Sequence, residues 1–208
     1  MFIQKTLHQP AKLLGITFVA YLFCYFVLDG FIASSVHSYT PSLIQQLCTI
    51  ISLPVTPALW VLIALAAFIG GHFFEDKLKS HFEFNTKHLK FITSSIITAG
   101  ITCEILKILL GRARPEMWLY HHLSGFYPLS LAHNFHSTPS GHATIAFVLA
   151  TCISILRPSW QIIGWTLASI MAISRILLNA HYLSDVILGA YLGWVVTYLI
   201  ANYQYSRL

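Results

Sequence analysis

Charge is what this 208-residue sequence has least of: Asp, Glu, Lys and Arg together make up 9% of it, against about 25% in an ordinary soluble domain. So few charges cannot cover a water-facing surface, which argues against a soluble globule. Disorder is excluded as well, because 56% of the residues are hydrophobic and 14% aromatic, and such a chain gains by burying surface. Cysteine is sparse. Cys24, Cys48, Cys103 and Cys152 follow no regular spacing, so they suggest neither a disulfide framework nor a zinc knuckle and read as small apolar side chains. The net charge of +5 comes from basic residues that punctuate apolar runs. A nucleic-acid binder would instead gather them into a basic stripe. No internal repeat stands out.

What is present is a series of long apolar runs. A spanning helix uses about 20 residues, so six spans with short connections nearly exhaust the chain. The expected fold is all-α: a polytopic membrane protein with six transmembrane helices forming one domain over residues 1–208. The first span runs from Leu13 to Leu28, reaching towards Ala33, and reads as an uncleaved anchor because the run is long for a signal peptide and further spans follow. The weakly charged stretch Asp29 to Leu53 suggests a short helix at the interface. The second span is Val55–Phe74, with Pro54 and Pro57 near its start. The others are Phe91–Lys107, Gly141–Leu156 (stopped by Arg157 and Pro158), Trp160–Leu178 and Val186–Ala201.

The basic residues orient this arrangement. Lys5 and Lys12 precede the first span, Lys77, Lys79, Lys87 and Lys90 lie between the second and third, Arg157 follows the fourth and Arg207 the sixth. These 8 of 12 basic residues share one side, which the positive-inside rule makes cytoplasmic, together with both termini. The other four, Lys107, Arg112, Arg114 and Arg175, fall at the opposite face. An anionic ligand is the simplest reason for that exception.

Three segments carry it: Lys107 through Arg114-Pro115, Pro139-Ser140-Gly141-His142, and Ser174-Arg175 followed by His181 and Asp185. Phosphoryl transfer depends mostly on positioning and on stabilising negative oxygens, and arginine forks and a lysine ammonium suit those oxygens. Lys107, Arg114 and Arg175 are candidate clamps. Ser140 fits a helix N-cap whose free amides attract anions, and Gly141 permits close backbone approach. His181 and Asp185 are one helical turn apart. Asp185 is expected to hold one ring nitrogen of His181 and leave the other free to attack phosphorus, with His142 protonating the leaving oxygen. Taken singly, each of these residues reads as a snorkelling cation, a loop charge, a cap or a structural pair; it is their placement on one face that favours a site.

These three segments, in this order and on a six-span chain, resemble the three-part signature of the type 2 phosphatidic acid phosphatase (PAP2) superfamily without departure. The resemblance implies a PAP2-like helical bundle with His181 as nucleophile, Asp185 as its charge-relay partner and His142 as general acid. It also implies phosphate binding by Lys107, Arg114, Ser140, Gly141 and Arg175, with no metal and no cofactor. The family includes vanadate-holding haloperoxidases, but those are largely soluble, and the membrane-like composition favours the lipid phosphatase branch. The implied reaction is metal-independent hydrolysis of a phosphomonoester or diphosphate on a membrane lipid. Candidate substrates are undecaprenyl diphosphate, lipid A phosphate, phosphatidylglycerol phosphate and phosphatidic acid, the analogy leaning to the first two. The implied setting is the bacterial inner membrane, with the site on the external or periplasmic face. The expected partners are the substrate and bilayer lipids and not nucleic acid.

Further residues are placed only by position. Glu104, inside the third span, is costly there unless it meets a partner, and Lys107 is the nearest. Arg112 and Glu116 bracket Arg114-Pro115 and either recognise a headgroup or second phosphate or face solvent. The loop 117–138 holds His121, His122, His133 and His136 in a spacing that matches no familiar metal site. Its aromatic residues suggest an interfacial lid or belt. Two competing functions keep the same spans: a soluble sugar-phosphate phosphatase of the same superfamily, and a non-enzymatic lipid transporter or binding protein, for which His142, His181 and Asp185 would be superfluous.

Overall fold

The computed structural model describes residues 8–73 and 86–205. Lys5, Lys77, Lys79 and Arg207 of the orientation argument, and the expected end of the second span at Phe74, lie outside them. Among the described residues the regular structure is helical. Helices α1 (His8–Phe23) and α2 (Asp29–Tyr39) are joined by a π-helical segment, Cys24–Leu28. Then come α3 (Ser42–Ser52), a 3-10 turn at Leu53–Val55, and α4 (Pro57–Phe73). Helix α5 (Thr86–Leu110) is followed by the short α6 (Pro115–His121), α7 (Gly141–Leu156), α8 (Gln161–Leu177) and α9 (Leu183–Tyr205).

Five helical segments are long and apolar enough to cross a membrane: Pro10–Tyr39, Ser42–Gly71, Thr86–Leu110, Pro158–Leu177 and Leu183–Tyr205. The sixth, Gly141–Leu156, is apolar but shorter. Two boundaries differ from the sequence expectation. The first helix passes Leu28, as the reach towards Ala33 allowed, and continues beyond it to Tyr39, because the Asp29 carboxylate is buried against cationic and hydroxyl partners rather than exposed to lipid. The short interfacial helix expected between Asp29 and Leu53 is instead α3, which runs on into α4 as the membrane-length segment Ser42–Gly71; it packs against α8, where Ser52 and Ser174 share a hydrogen bond (3.3 Å).

Helix α7 is the axis of the bundle. It packs against α8, α9 and α5, while α4 lies outside α5 and α1 outside α9. The α7–α9 contact is close because Gly189 and Gly193 face it. A Cβ at Gly189 would lie 2.5 Å from the Ser140 carbonyl oxygen, and one at Gly193 would lie 2.3 Å from that of Thr144. Small residues four apart let helix backbones approach in this way inside membranes. Below this contact, Phe91, Ile96, Ala99, Ile145, Val148 and Cys152 form the buried apolar core. Their van der Waals packing holds the helices together where lipid offers no hydrophobic drive.

Helix direction sets what gathers at one end. Lys107 lies in the last turn of α5 and Arg175 in that of α8, whereas Gly141 opens α7 and Asp185 lies in the first turn of α9. All three sequence segments therefore meet at one end of the bundle. Gly111 turns the chain inward there. It adopts φ +60°, its N–H closes on the Lys107 carbonyl (2.8 Å), and a Cβ would sit 1.7 Å from the Tyr127 carbonyl oxygen. Only glycine fits that turn, which aims Arg112 into the bundle.

Candidate active site

His181 is buried at this end, and its Nδ1 lies 2.7 Å from the carbonyl oxygen of Ser137. A carbonyl only accepts, so Nδ1 must carry the hydrogen and Nε2 keeps its lone pair. The carboxylate expected to hold this ring nitrogen is farther off: Asp185 Oδ2 lies 4.0 Å from Nδ1. Ser137 joins the two groups, because its hydroxyl donates to Asp185 Oδ2 at 2.5 Å while its carbonyl accepts from the imidazole Nδ1–H. The Tyr182 N–H also donates to Oδ2 (2.9 Å). Sequence reasoning missed Ser137, and only its position just before the Pro139-Ser140-Gly141-His142 segment hinted at it.

Cations surround the histidine. Burial, then the charges of Arg114, Arg175 and Lys107, push the His181 pKa well below the ordinary value of 6.5. The neutral, nucleophilic form is thereby favoured. The same three cations act on His142, which is half-buried in the first turn of α7. This shared field is the physical sign that the three segments converge. Ser140 occupies the N-cap position of α7, yet its hydroxyl makes no capping bond. Ser140 Oγ and Arg175 Nε are both buried without a hydrogen-bond partner among the described residues. Buried polar groups left unpaired are costly.

The other expected clamps divide. Lys107 Nζ pairs with Glu104 at 2.5 Å, as proximity suggested, with the Glu104 side chain 55% exposed. A Cβ on Gly141 would lie 3.1 Å from that ammonium. Arg114 is tied to backbone carbonyls, donating from Nε to His133, from Nη1 to Ala180 and from Nη2 to His136. It thus fastens the 133–136 turn to the His181 loop, and desolvation lowers its pKa. Glu116 is exposed.

Of the two sequence alternatives for Arg112, exposure to solvent does not hold. It is buried. Nη2 donates to Asp29 Oδ2 at 2.7 Å, and Nη1 donates to Asp185 Oδ1 and to Ser184 Oγ. Its guanidinium lies over the rings of Tyr182 (4.3 Å) and Tyr25 (4.8 Å), a geometry suited to cation–π attraction. Burial alone would disfavour its charge, but Asp185, Tyr21 and Asp29 outweigh it and raise the pKa.

In the 117–138 loop, His121, His122 and His133 are exposed, while the His136 ring meets the Ser130 carbonyl at 2.8 Å. No group of three potential metal ligands occurs among the described residues. Beside Lys107 and Gly141, an apolar cavity of about 460 Å³ runs between α4 and α5. Pro57, Val61, Ile101, Ile105 and Ile108 line it, with Glu104 at its wall.

Comparison with known proteins agrees with this geometry. The PAP2 superfamily profile matches residues 89–208, more than half of the chain, and the protein belongs to that superfamily. It is an all-helical membrane protein. Among curated relatives it is 31% identical over 105 residues to a lipid A 1-phosphatase of Rhizobium etli, covering 50% of this chain and 45% of that protein. It is 29% identical over 106 residues to an undecaprenyl-diphosphatase of Sulfolobus acidocaldarius, covering 50% of each. It is 28% identical over 149 residues to lipid phosphate phosphatase gamma of Arabidopsis thaliana, covering 65% of this chain and 58% of that protein. The chain therefore spans about half the length of the curated relatives it matches. Among solved structures, a transmembrane PAP2-type phosphatidylglycerolphosphate phosphatase from Bacillus subtilis shares the fold. Its TM-score is 0.55 at 17% identity, with 95% of this chain and 96% of that chain covered.

Proposed function

We propose that this protein is a metal-independent membrane lipid phosphatase that works through a phosphohistidine on His181. The carrying observation is the buried His181 whose Nδ1 is held by the Ser137 carbonyl, leaving Nε2 free, with the charges of Arg114, Arg175 and Lys107 acting on the ring. Nε2 attacks phosphorus, the ester oxygen departs with a proton from His142, which the negative charge of the bound phosphate must hold protonated against burial and the field of Arg175, Lys107 and Arg114, and the phosphoryl group stays on the imidazole. Water then gives a proton back to His142 and attacks phosphorus, the P–N bond breaks, and phosphate leaves. Lys107, Ser140 Oγ, Arg175 and the amides at Gly141 bind the phosphoryl oxygens. Arg114 contributes charge and holds the loops, and Asp185 stabilises the imidazolium that forms.

The apolar cavity beside Lys107 and Gly141 supports a lipid substrate, because it offers room for a tail where the phosphate would sit. The lipid A 1-phosphatase and undecaprenyl-diphosphatase relatives supply two candidate substrates, with phosphatidylglycerol phosphate and phosphatidic acid as the others. The basic-residue distribution supports cytoplasmic termini and an external site.

The test is phosphate release by the purified protein from a panel of dispersed lipid phosphates, with a soluble sugar phosphate alongside. Release from at least one lipid, unchanged by EDTA, is expected. Release from the sugar phosphate alone would overturn the lipid reading, and loss in EDTA would overturn the metal-free mechanism.

A further inference from the structure

Asp29 and Asp185 are the only buried carboxylates among the described residues, at 3% and 0% exposure. They come from opposite parts of the chain, and Asp29 lies outside the 89–208 segment that matches the superfamily. Both grip the single guanidinium of Arg112. Ser184 closes the ring: its N–H donates to Asp29 Oδ1 at 3.1 Å, and its hydroxyl donates to Asp29 Oδ2. Asp29 directly follows the π-helical segment and its N–H bonds back five residues to the Cys24 carbonyl. Single π turns recur at functional sites.

Arg112 controls both ends of the His181 environment. Its side chain holds Asp185, and its carbonyl accepts from the Ser137 N–H at 3.1 Å. Ser137 in turn donates to Asp185 and accepts the hydrogen bond from His181 Nδ1–H. A second tie joins the same helix to the His181 loop, from Asn179 Nδ2 to the Ala33 carbonyl (3.2 Å).

The charge count gives this arrangement a purpose. Attack by Nε2 places positive charge on the imidazole ring. A lone Arg112–Asp185 pair would be formally neutral and would offer that charge little. With Asp29 sharing the guanidinium, two carboxylates face one cation and a formal negative charge remains, closest to the ring at Asp185 Oδ2. We infer that Asp29 is a positioning residue for the reaction: from the first helix it fixes Arg112 and, through Asp185 and Ser137, the tautomer and field of His181. This inference rests on the phosphohistidine reading of the site.

The experiment compares wild type, Asp29→Asn and Ser184→Ala as purified full chains. Active sites are titrated by rapid-quench trapping of phosphohistidine, so that turnover is counted per competent molecule. For Asp29→Asn, kcat per titrated site should fall roughly ten- to a hundredfold, by analogy with the range for groups that orient metal-bound imidazoles. KM and inhibition by inorganic phosphate should stay within about twofold, because the anion-binding groups are untouched. The 15N spectrum of His181 should show one Nδ1–H tautomer in wild type and a mixed population in Asp29→Asn. A merely structural Asp29 would reduce the number of titratable sites and leave both kcat per site and the tautomer unchanged, and that result overturns the inference. If Asp29→Asn does not fold, Ser184→Ala decides: about a threefold loss of kcat per site supports the inference and wild-type turnover overturns it. Wild type that forms no phosphohistidine would sink the functional reading instead, and the tautomer comparison would still decide the role of Asp29.

Discussion

The two sides of His181 are built on opposite rules. Towards Asp185, the polar groups are largely matched: Asp29, Arg112, Ser184, Asp185 and Ser137 hydrogen-bond one another while buried, with Thr138 Oγ1, beside Ser137, the exception that lacks a partner among the described residues. Towards α7, the buried Ser140 hydroxyl and Arg175 Nε lack partners. A matched buried network is rigid, and an unmatched one is costly until something fills it. On the proposed mechanism, the matched side holds the nucleophile and the unmatched side receives the anion. It also explains how one small end of a lipid-facing bundle keeps so many charged groups.

The strongest way to break this comparison is to remove its pivot. His181→Ala should reduce phosphate release at least about 10⁴-fold, since a nucleophile's loss removes the covalent route, while the protein still inserts in the membrane. Near wild-type release would defeat the phosphohistidine proposal. Removing the centre of the matched side acts on the fold instead. Arg112→Ala leaves two buried carboxylates without their cation and should destabilise the protein by about 3–5 kcal/mol, read as a lower unfolding temperature in detergent. Undiminished thermal stability would show that the network is not as closed as its hydrogen bonds indicate. On the unmatched side the expected result is reversed. Arg175→Ala should cost about 10²–10³-fold in kcat, as for one lost anion-stabilising donor, with thermal stability maintained or raised because an unpaired buried donor is gone.

Acid sharpens the same contrast. Burial and then Arg114, Arg175 and Lys107 hold the His181 pKa well below 6.5, so the imidazole stays neutral and the acid limb of kcat/KM from this group should lie well below pH 6.5. Linkage has the matching sign. The unfolded chain binds the proton near pH 6.5, so the stability tied to neutral His181 is complete above that pH and is lost as pH falls towards the depressed folded value. Arg114→Gln removes the largest charge acting on the ring and should move the acid limb upward. An unmoved limb would assign it to another group.

What the sequence revealed follows the same division. Lys107, Arg114, Ser140, His142, Arg175, His181 and Asp185 stood out because isolated polar residues interrupt apolar runs at fixed spacings. The spans stood out for the same reason. The burial of Arg112 was not legible because its partner Asp29 lies 83 residues away, and no local periodicity joins them. That one pairing also hid the extension of the first helix to Tyr39, since an unpaired Asp would end a lipid-facing run. Ser137 acts on His181 through a backbone carbonyl, which residue identity does not encode.

Glu104 is the exception on the anion-facing side, and it supplies the smallest and most discriminating test. Its carboxylate sits 2.5 Å from Lys107 Nζ but is 55% exposed, so the pair should add little to stability, on the order of 0–1 kcal/mol. Its greater effect is on binding, because the carboxylate already occupies the ammonium that a phosphate needs. Glu104→Gln should leave unfolding temperature and kcat nearly unchanged and lower KM about twofold as that competition ends. A KM that rises instead would mean that Glu104 holds Lys107 in place for phosphate. The unmatched side would then contain a positioning carboxylate of its own, and the division between the two sides of His181 would be one of degree.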